Sequence, residues 1–287
     1  VSKPRPERLA ADPQTDAQTL RELSGDYDWH VRRAAGWNSS TPEDVLTTLA
    51  RDPVQWVREA VAGNPSAPES LLVALSRDRD GFVRAAAALN ISTPPPVLAE
   101  LSRDVMSDFD CSMQKNRLIV MEAVAGNKNA PAKLLSVLAR EDDEGVRAAA
   151  AGNERLSRQD IAILARDHSW EVRYRIAQNP SADPDILELL ASDRITDVRE
   201  AAGANPLTSR NALDRLARDR MWEVQRAVAE NPSISRETLE RLANHWSFLV
   251  REAVANNAVT PLEIMEKLAE DQDQSVKKAA CSRLSRG

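Results

Sequence analysis

The sequence repeats itself, and the length of the repeat decides what the chain can fold into. Asn stands at 38, 64, 90, 127, 153, 179, 205, 231 and 257, so every interval is 26 residues except one of 37. Seven residues before each Asn stands a Val, from Val31 and Val57 onward, and Val276 keeps the same phase. Leu at 23, 49, 75, 101, 138, 164, 190, 216, 242 and 268 forms a third register in step with both. Three markers in one phase across 287 residues define about ten tandem units. A unit this short cannot enclose a core, so it buries its apolar face only against its neighbours.

Written from Asn64, one unit reads NPSAPESLLVALSRDRDGFVRAAAAL. Asn-Pro signals a turn, and the second Pro starts a helix. Leu71, Leu72 and Leu75 then share one helical face. The link containing Asp78 breaks the chain, and a short second helix follows from Phe82 to about Leu89. Small residues three and five places after the Val, such as Ala60 and Ala62, let neighbouring helices approach closely. The expected fold is all-α, a right-handed superhelical solenoid of two-helix repeats running as a single body over residues 1–287. Residues 1–11 read as a half-repeat capping the N-terminal end. With only 9 Gly, the composition speaks against an all-β chain full of tight turns.

Polar residues keep the same beat. The Asn side chain is suited to turn backbone groups. Asp52, Asp78, Asp104, Asp167, Asp193, Asp219 and Asp271 share one place in the link, and Arg58, Arg84, Arg147, Arg173, Arg199, Arg251 and Lys277 follow the Val. A carboxylate and a guanidinium recurring six residues apart predict a ladder between neighbouring units, or else a basic stripe able to grip phosphate.

The pattern NPSxPxxLLxxLxxDxxxxVRxAVA resembles the leucine-rich repeat variant family, and its D-x4-V-R element is similar to HEAT-like repeats. The resemblance runs from residue 12 to about 282. It implies a solenoid in which an α-helix alternates with a second helix that is often 3₁₀. The founding type also carries an N-terminal cysteine cluster for an iron–sulfur centre. No Cys precedes Cys111 here, so that module and its redox role are not carried over.

Departures from the repeat are where function is sought. The fourth unit carries 11 extra residues, read as an enlarged inter-helix loop over 105–119 with Met106, Phe109, Cys111 and Met113, and Met121 takes the place of the rung Arg. Such an insertion either decorates a binding face or costs too little to be removed. Tyr27, Trp29, Trp56, Phe82, Phe109, Trp170, Trp222, Trp246 and Phe248 gather on the helix-to-helix link. They either close the end of the core or form an aromatic strip beside the Arg ladder. Outward positions of the first helix are apolar in the middle units, as at Val73, Val137, Ile163 and Leu189, and charged in later ones. That stretch is either a groove or a contact with the next repeat. Arg175 replaces a small residue, Gln225 a rung Arg, and Arg283 the next Asn.

The formal charge of −6 exerts no global pull on nucleic acid or an anionic membrane. Cys111 and Cys281 form neither a disulfide framework nor a CxxC motif, which suits a reducing, cytoplasmic setting. No apolar run reaches the length of a membrane span. There is no glycine-rich phosphate loop, nucleophile elbow or metal-ligand cluster, so no enzyme and no cofactor is expected. The sequence predicts an interaction scaffold that binds a protein or peptide along its surface. The alternative is a nucleic-acid binder using the Arg ladder and link aromatics. Candidate partner-binding residues are Trp29, Trp56, Phe82, Phe109, Cys111, Trp170, Arg173, Arg175, Trp222 and Phe248. End-to-end self-association is a further expectation.

Overall fold

The computed structural model describes residues 5–103 and 111–285, the side chains of 111–116 excepted. Every regular element among them is an α-helix. The chain's contacts divide it into two compact units, Val1–Arg155 and Leu156–Gly287, each a stack of the same repeat. In the first unit the helices Trp29–Trp37, Gln55–Gly63 and Gly81–Leu89 lie side by side, alternating along the chain with Glu43–Leu49 and Glu69–Leu75. In the second unit Trp170–Gln178, Thr196–Ala204, Trp222–Glu230 and Phe248–Asn256 form the corresponding row.

Local chemistry sets these boundaries. First helices are seven residues long and begin at a Pro, as at Pro42 and Pro68, or at a Ser or Asp. Ser157, Ser209 and Ser235 each accept a hydrogen bond from the amide three residues on, occupying one of the helix's orphan donors. Second helices are the longer of the two, nine residues in most repeats, and are α rather than 3₁₀. Only the final turn tightens, with Asn64 N–H reaching Val61 O. The repeat markers form the core: Val57, Val83, Val172 and Val198 are fully buried, and Leu49, Leu75, Leu190 and Leu216 nearly so.

The fourth repeat departs from expectation. Residues 111–119, read above as loop, are helical, because the second helix there runs from Cys111 to Gly126 over 16 residues. The stretch CSMQKNRLI has neither Gly nor Pro and is rich in helix formers, so it prolongs the helix toward its N-terminus. Phe109 lies outside the described residues, and so do the side chains of Cys111 and Met113.

One side chain ties each turn to the one before it. Asn64 Nδ2 donates to Gly36 O at 2.7 Å and to Asn38 O at 2.9 Å, while its Oδ1 accepts from Ser66 N. Asn38, Asn90 and Asn153 repeat this in the first unit, and Asn205, Asn231 and Asn257 in the second. Across the insertion Asn127 still reaches Ala88 O and Asn90 O, so the extra residues leave this edge in register. Arg283 stands in for the missing Asn, and its guanidinium donates to Ala255 O and Asn257 O. The helix Pro6–Ala11 packs on Trp29–Trp37 and supplies the Ala10 carbonyl that Asn38 bonds.

Asn64 is fully buried, so Asn64→Ala strands the Gly36 carbonyl and the Ser66 amide and takes one of two donors from Asn38 O. The expected loss is about 2–4 kcal/mol of unfolding free energy, measured by urea denaturation. Asn64→Asp cannot restore it, because a carboxylate has no hydrogen to donate.

Candidate interaction surface

The link edge is built from charge. Arg58 donates from Nε and Nη2 to Asp78 in the next repeat, and from Nη1 to Asp52 O and Pro53 O in its own link. Asp78 Oδ1 also accepts from Asp80 N, so one carboxylate shapes its own turn and receives its neighbour's guanidinium. Arg32–Asp52, Arg58–Asp78, Arg173–Asp193, Arg199–Asp219 and Arg251–Asp271 pair in this way at 2.6 to 2.7 Å. Arg58, Arg173 and Arg199 are buried. The ladder expected between repeats is therefore present, and these guanidiniums are engaged inside the protein rather than offered to phosphate. Burial pushes the Asp193 and Asp219 carboxyls up, but the paired Arg and the turn N–H outweigh it and hold both below the ordinary value.

One rung is replaced on both sides at once. Where the repeat calls for a rung Arg and its partner Asp, the chain has Gln225 and His245. Gln225 Nε2 donates to Asp219 O, as a rung Arg would, and His245 Nδ1 accepts from Ser247 N at 3.0 Å, as the Asp would. Burial, with Arg251 nearby, holds His245 below its ordinary pKa and so favours the neutral ring that this bond requires.

Tyr27 and Trp246 lie on the link as expected, and the other described aromatics of that group sit one step further on. Trp29, Trp170, Trp222 and Phe248 open second helices, and Trp56 and Phe82 are second residues of theirs. Trp29 stacks on His30 and packs against the core, so it closes the core's end. Trp56 and Phe82 meet at 6.0 Å, Trp170 meets Tyr174 at 6.3 Å, and Arg226 lies 5.9 Å over the half-buried Trp222. Trp56, Phe82 and Trp170 are each 39% exposed and Phe248 is 43% exposed, so they form no complete lid. Arg175 is exposed, whereas Arg173 is a buried rung.

Two grooves follow from this placement. In the first unit Trp37, Phe82, Leu89 and Ile119 line a groove of about 330 Å³ with Glu59 at its side. Burial pushes the Glu59 carboxyl up, with the Arg33 charge opposing, and its Oε2 has no hydrogen-bond partner. The Trp37 ring lies on Gly63, where any Cβ would come within 2.4 Å of it. In the second unit Trp170, Tyr174, Asp197, Glu200 and Glu230 line a groove of about 400 Å³. Among the described residues there is no cluster of three or more His, Cys, Asp or Glu able to hold a metal ion. No described helix is long and apolar enough to cross a membrane.

The family model of the leucine rich repeat variant matches residues 56–80 and 222–245, each spanning a second helix, its Asn turn and the next first helix. In these two stretches the chain is similar to the leucine-rich repeat variant. A solved structure described as a leucine-rich repeat variant with a novel repetitive structural motif shares 24% identity, covers 82% of this chain and 88% of its own, and gives a TM-score of 0.52. That likeness is one of fold. The Escherichia coli protein YibA shares 15% identity over the full length of both chains with a TM-score of 0.41. A computationally designed armadillo repeat protein for modular peptide recognition shares 18% identity, covers 98% of this chain and 99% of its own, and gives a TM-score of 0.16. No curated protein matches the chain.

Within these repeats, sequence reasoning passed over Trp37, Glu59, Tyr174, Asp197, Glu200 and Glu230. Their signal was present in the repeat frame. Glu59, Tyr174 and Glu200 stand two places after the Val, while Trp37 and Glu230 stand six places after it. These positions lie four apart on one helical face and change from repeat to repeat, while the places three and five after the Val stay small except at Arg175.

Two outcomes are expected. Gln225→Arg with His245→Asp restores the rung, and a double-mutant cycle in guanidinium denaturation reads a coupling of about 1–3 kcal/mol. For pH, a base whose folded pKa lies below its ordinary 6.5 gives stability that is complete above that value and is lost as pH falls through the window beneath it. Thermal melts between pH 7.5 and 5 therefore show a shallower decline for His245→Asn than for the unchanged chain.

Proposed function

We propose that the chain is a non-enzymatic interaction scaffold that binds a protein or peptide on the face of its second helices. The carrying observation is the pair of open grooves lined by part-exposed aromatics, Phe82 and Trp37 in one and Trp170 and Tyr174 in the other. Aromatic side chains in clefts supply most of the binding energy of protein interfaces. The buried Arg–Asp rungs speak against a phosphate-binding stripe, since a guanidinium already paired with a carboxylate gains little from a second anion. A cytoplasmic setting fits Cys281, an exposed free thiol. Association of stacks end to end belongs to the same reading.

The test is capture of partners from native lysate by the tagged chain, with and without nuclease. A protein partner is expected to survive nuclease and to be lost from a folded variant carrying Trp56→Ala, Phe82→Ala and Trp170→Ala. A deletion of 106–116 reports on Phe109 and Cys111 in the same assay. Capture that disappears with nuclease overturns the reading in favour of nucleic acid.

A further inference from the structure

We infer that the groove of the Leu156–Gly287 unit takes an arginine or lysine side chain of an extended basic peptide. The inference rests on the scaffold reading and narrows it to one partner chemistry at one place. Trp170, Tyr174 and Gln178 stand four apart on one helix and form one wall. Gln178 Nε2 donates to the Tyr174 hydroxyl at 2.8 Å and fixes the phenol ring. Ala201, Ala204 and Ala227 are too small to fill the space, which leaves the groove its 400 Å³. Across from the aromatic wall stand Asp197, Glu200 and Glu230.

These carboxylates are not consumed by the fold. Asp197 is exposed and has no ion pair among the described residues. Glu200 and Glu230 both face Arg226, at 3.6 and 3.9 Å, too far for either to be a hydrogen-bonded pair. One guanidinium therefore stands against three carboxylates, and the Arg226 Nε is itself buried without a hydrogen-bond partner. Arg175, exposed on the same helix as Trp170, is not among the lining residues. Farther along the row Glu252 continues the acidic character two places after its Val.

An aromatic face and convergent carboxylates select a cation with a flat or extended apolar stem. The ring quadrupole attracts the charge, and the carboxylates accept its hydrogens. The groove of the other unit has the aromatic wall without the charge, since Glu59 is its one acidic lining residue among those described.

The experiment is fluorescence anisotropy on the full chain with labelled octapeptides that alternate serine with arginine, lysine, glutamate or glycine. The arginine and lysine peptides are expected to bind, and the glutamate and glycine peptides are not. Asp197→Asn, Glu200→Gln and Glu230→Gln combined should weaken the arginine peptide roughly tenfold or more, and Trp170→Ala should do likewise. Glu69→Gln, an exposed carboxylate on a first helix outside both grooves, should leave it unchanged. The carboxamide variant keeps side-chain shape on a partly exposed surface, so a circular dichroism melt matching the unchanged chain separates lost binding from lost fold. Binding that ignores the carboxamide variant, equal binding of the glycine peptide, or no arginine binding each overturns the inference. If random peptides or a nuclease-resistant protein still bind a folded chain in that event, the scaffold reading stands while the inference falls. If nothing binds, both fall.

Discussion

A helix that ends in a turn leaves carbonyls with no amide to receive, and in a chain of short helices this happens every few residues. Here the Asn of the following repeat meets that demand. Its amide nitrogen has two hydrogens and its oxygen one strong acceptor site in use, and all three find backbone: two carbonyls of the preceding repeat and one amide of its own turn. Aspartate lacks the donors, and glutamine carries one methylene too many for the same reach. Because the site is fully buried, water cannot substitute, and the packing of the Val and Leu registers depends on the turns being held at this spacing.

The other edge is held by charge, and it works in the opposite sense. Asn reaches back to the repeat before it, whereas the rung Arg reaches forward to the Asp of the repeat after it. Each interface is thus secured by one group from either side. Buried pairs of this kind are stable only as pairs, since removing one partner strands the other. That accounts for the joint change at one broken rung; at the other, where Met121 replaces the Arg, the partner position keeps an acid, Glu141. Gln225 and His245 depart together, and each keeps the backbone bond that its predecessor type would have made.

Much of the fold was legible because the repeat displays the same choice about ten times over. Val57 and Leu49 could be read as core, Asn64 as a turn residue, and Arg58 and Asp78 as partners, each from register alone. The reach of Asn64 into the previous turn was not legible, since sequence spacing gives no direction for a side chain. The insertion was read as loop because a break in register looks like a break in structure, whereas residues from Cys111 onward simply lengthen a helix. At the candidate surface, attention went to Trp29 and Arg173 because they recur in type. The groove residues Glu59 and Tyr174 recur only in position, and repetition of residue type hides them.

The connectors and the contact surface occupy different positions of the same short unit. Asp, Arg and Asn are spent on the joints, while the places two and six residues after the Val face the grooves and carry there Trp, Tyr, Leu, Glu, Gln, Gly or Ala without disturbing a joint. Two repeats that share the three connectors present one another with the same plug and socket, whatever their groove residues are. Such a chain can be respelled repeat by repeat, its binding vocabulary changing while its grammar of assembly stays fixed.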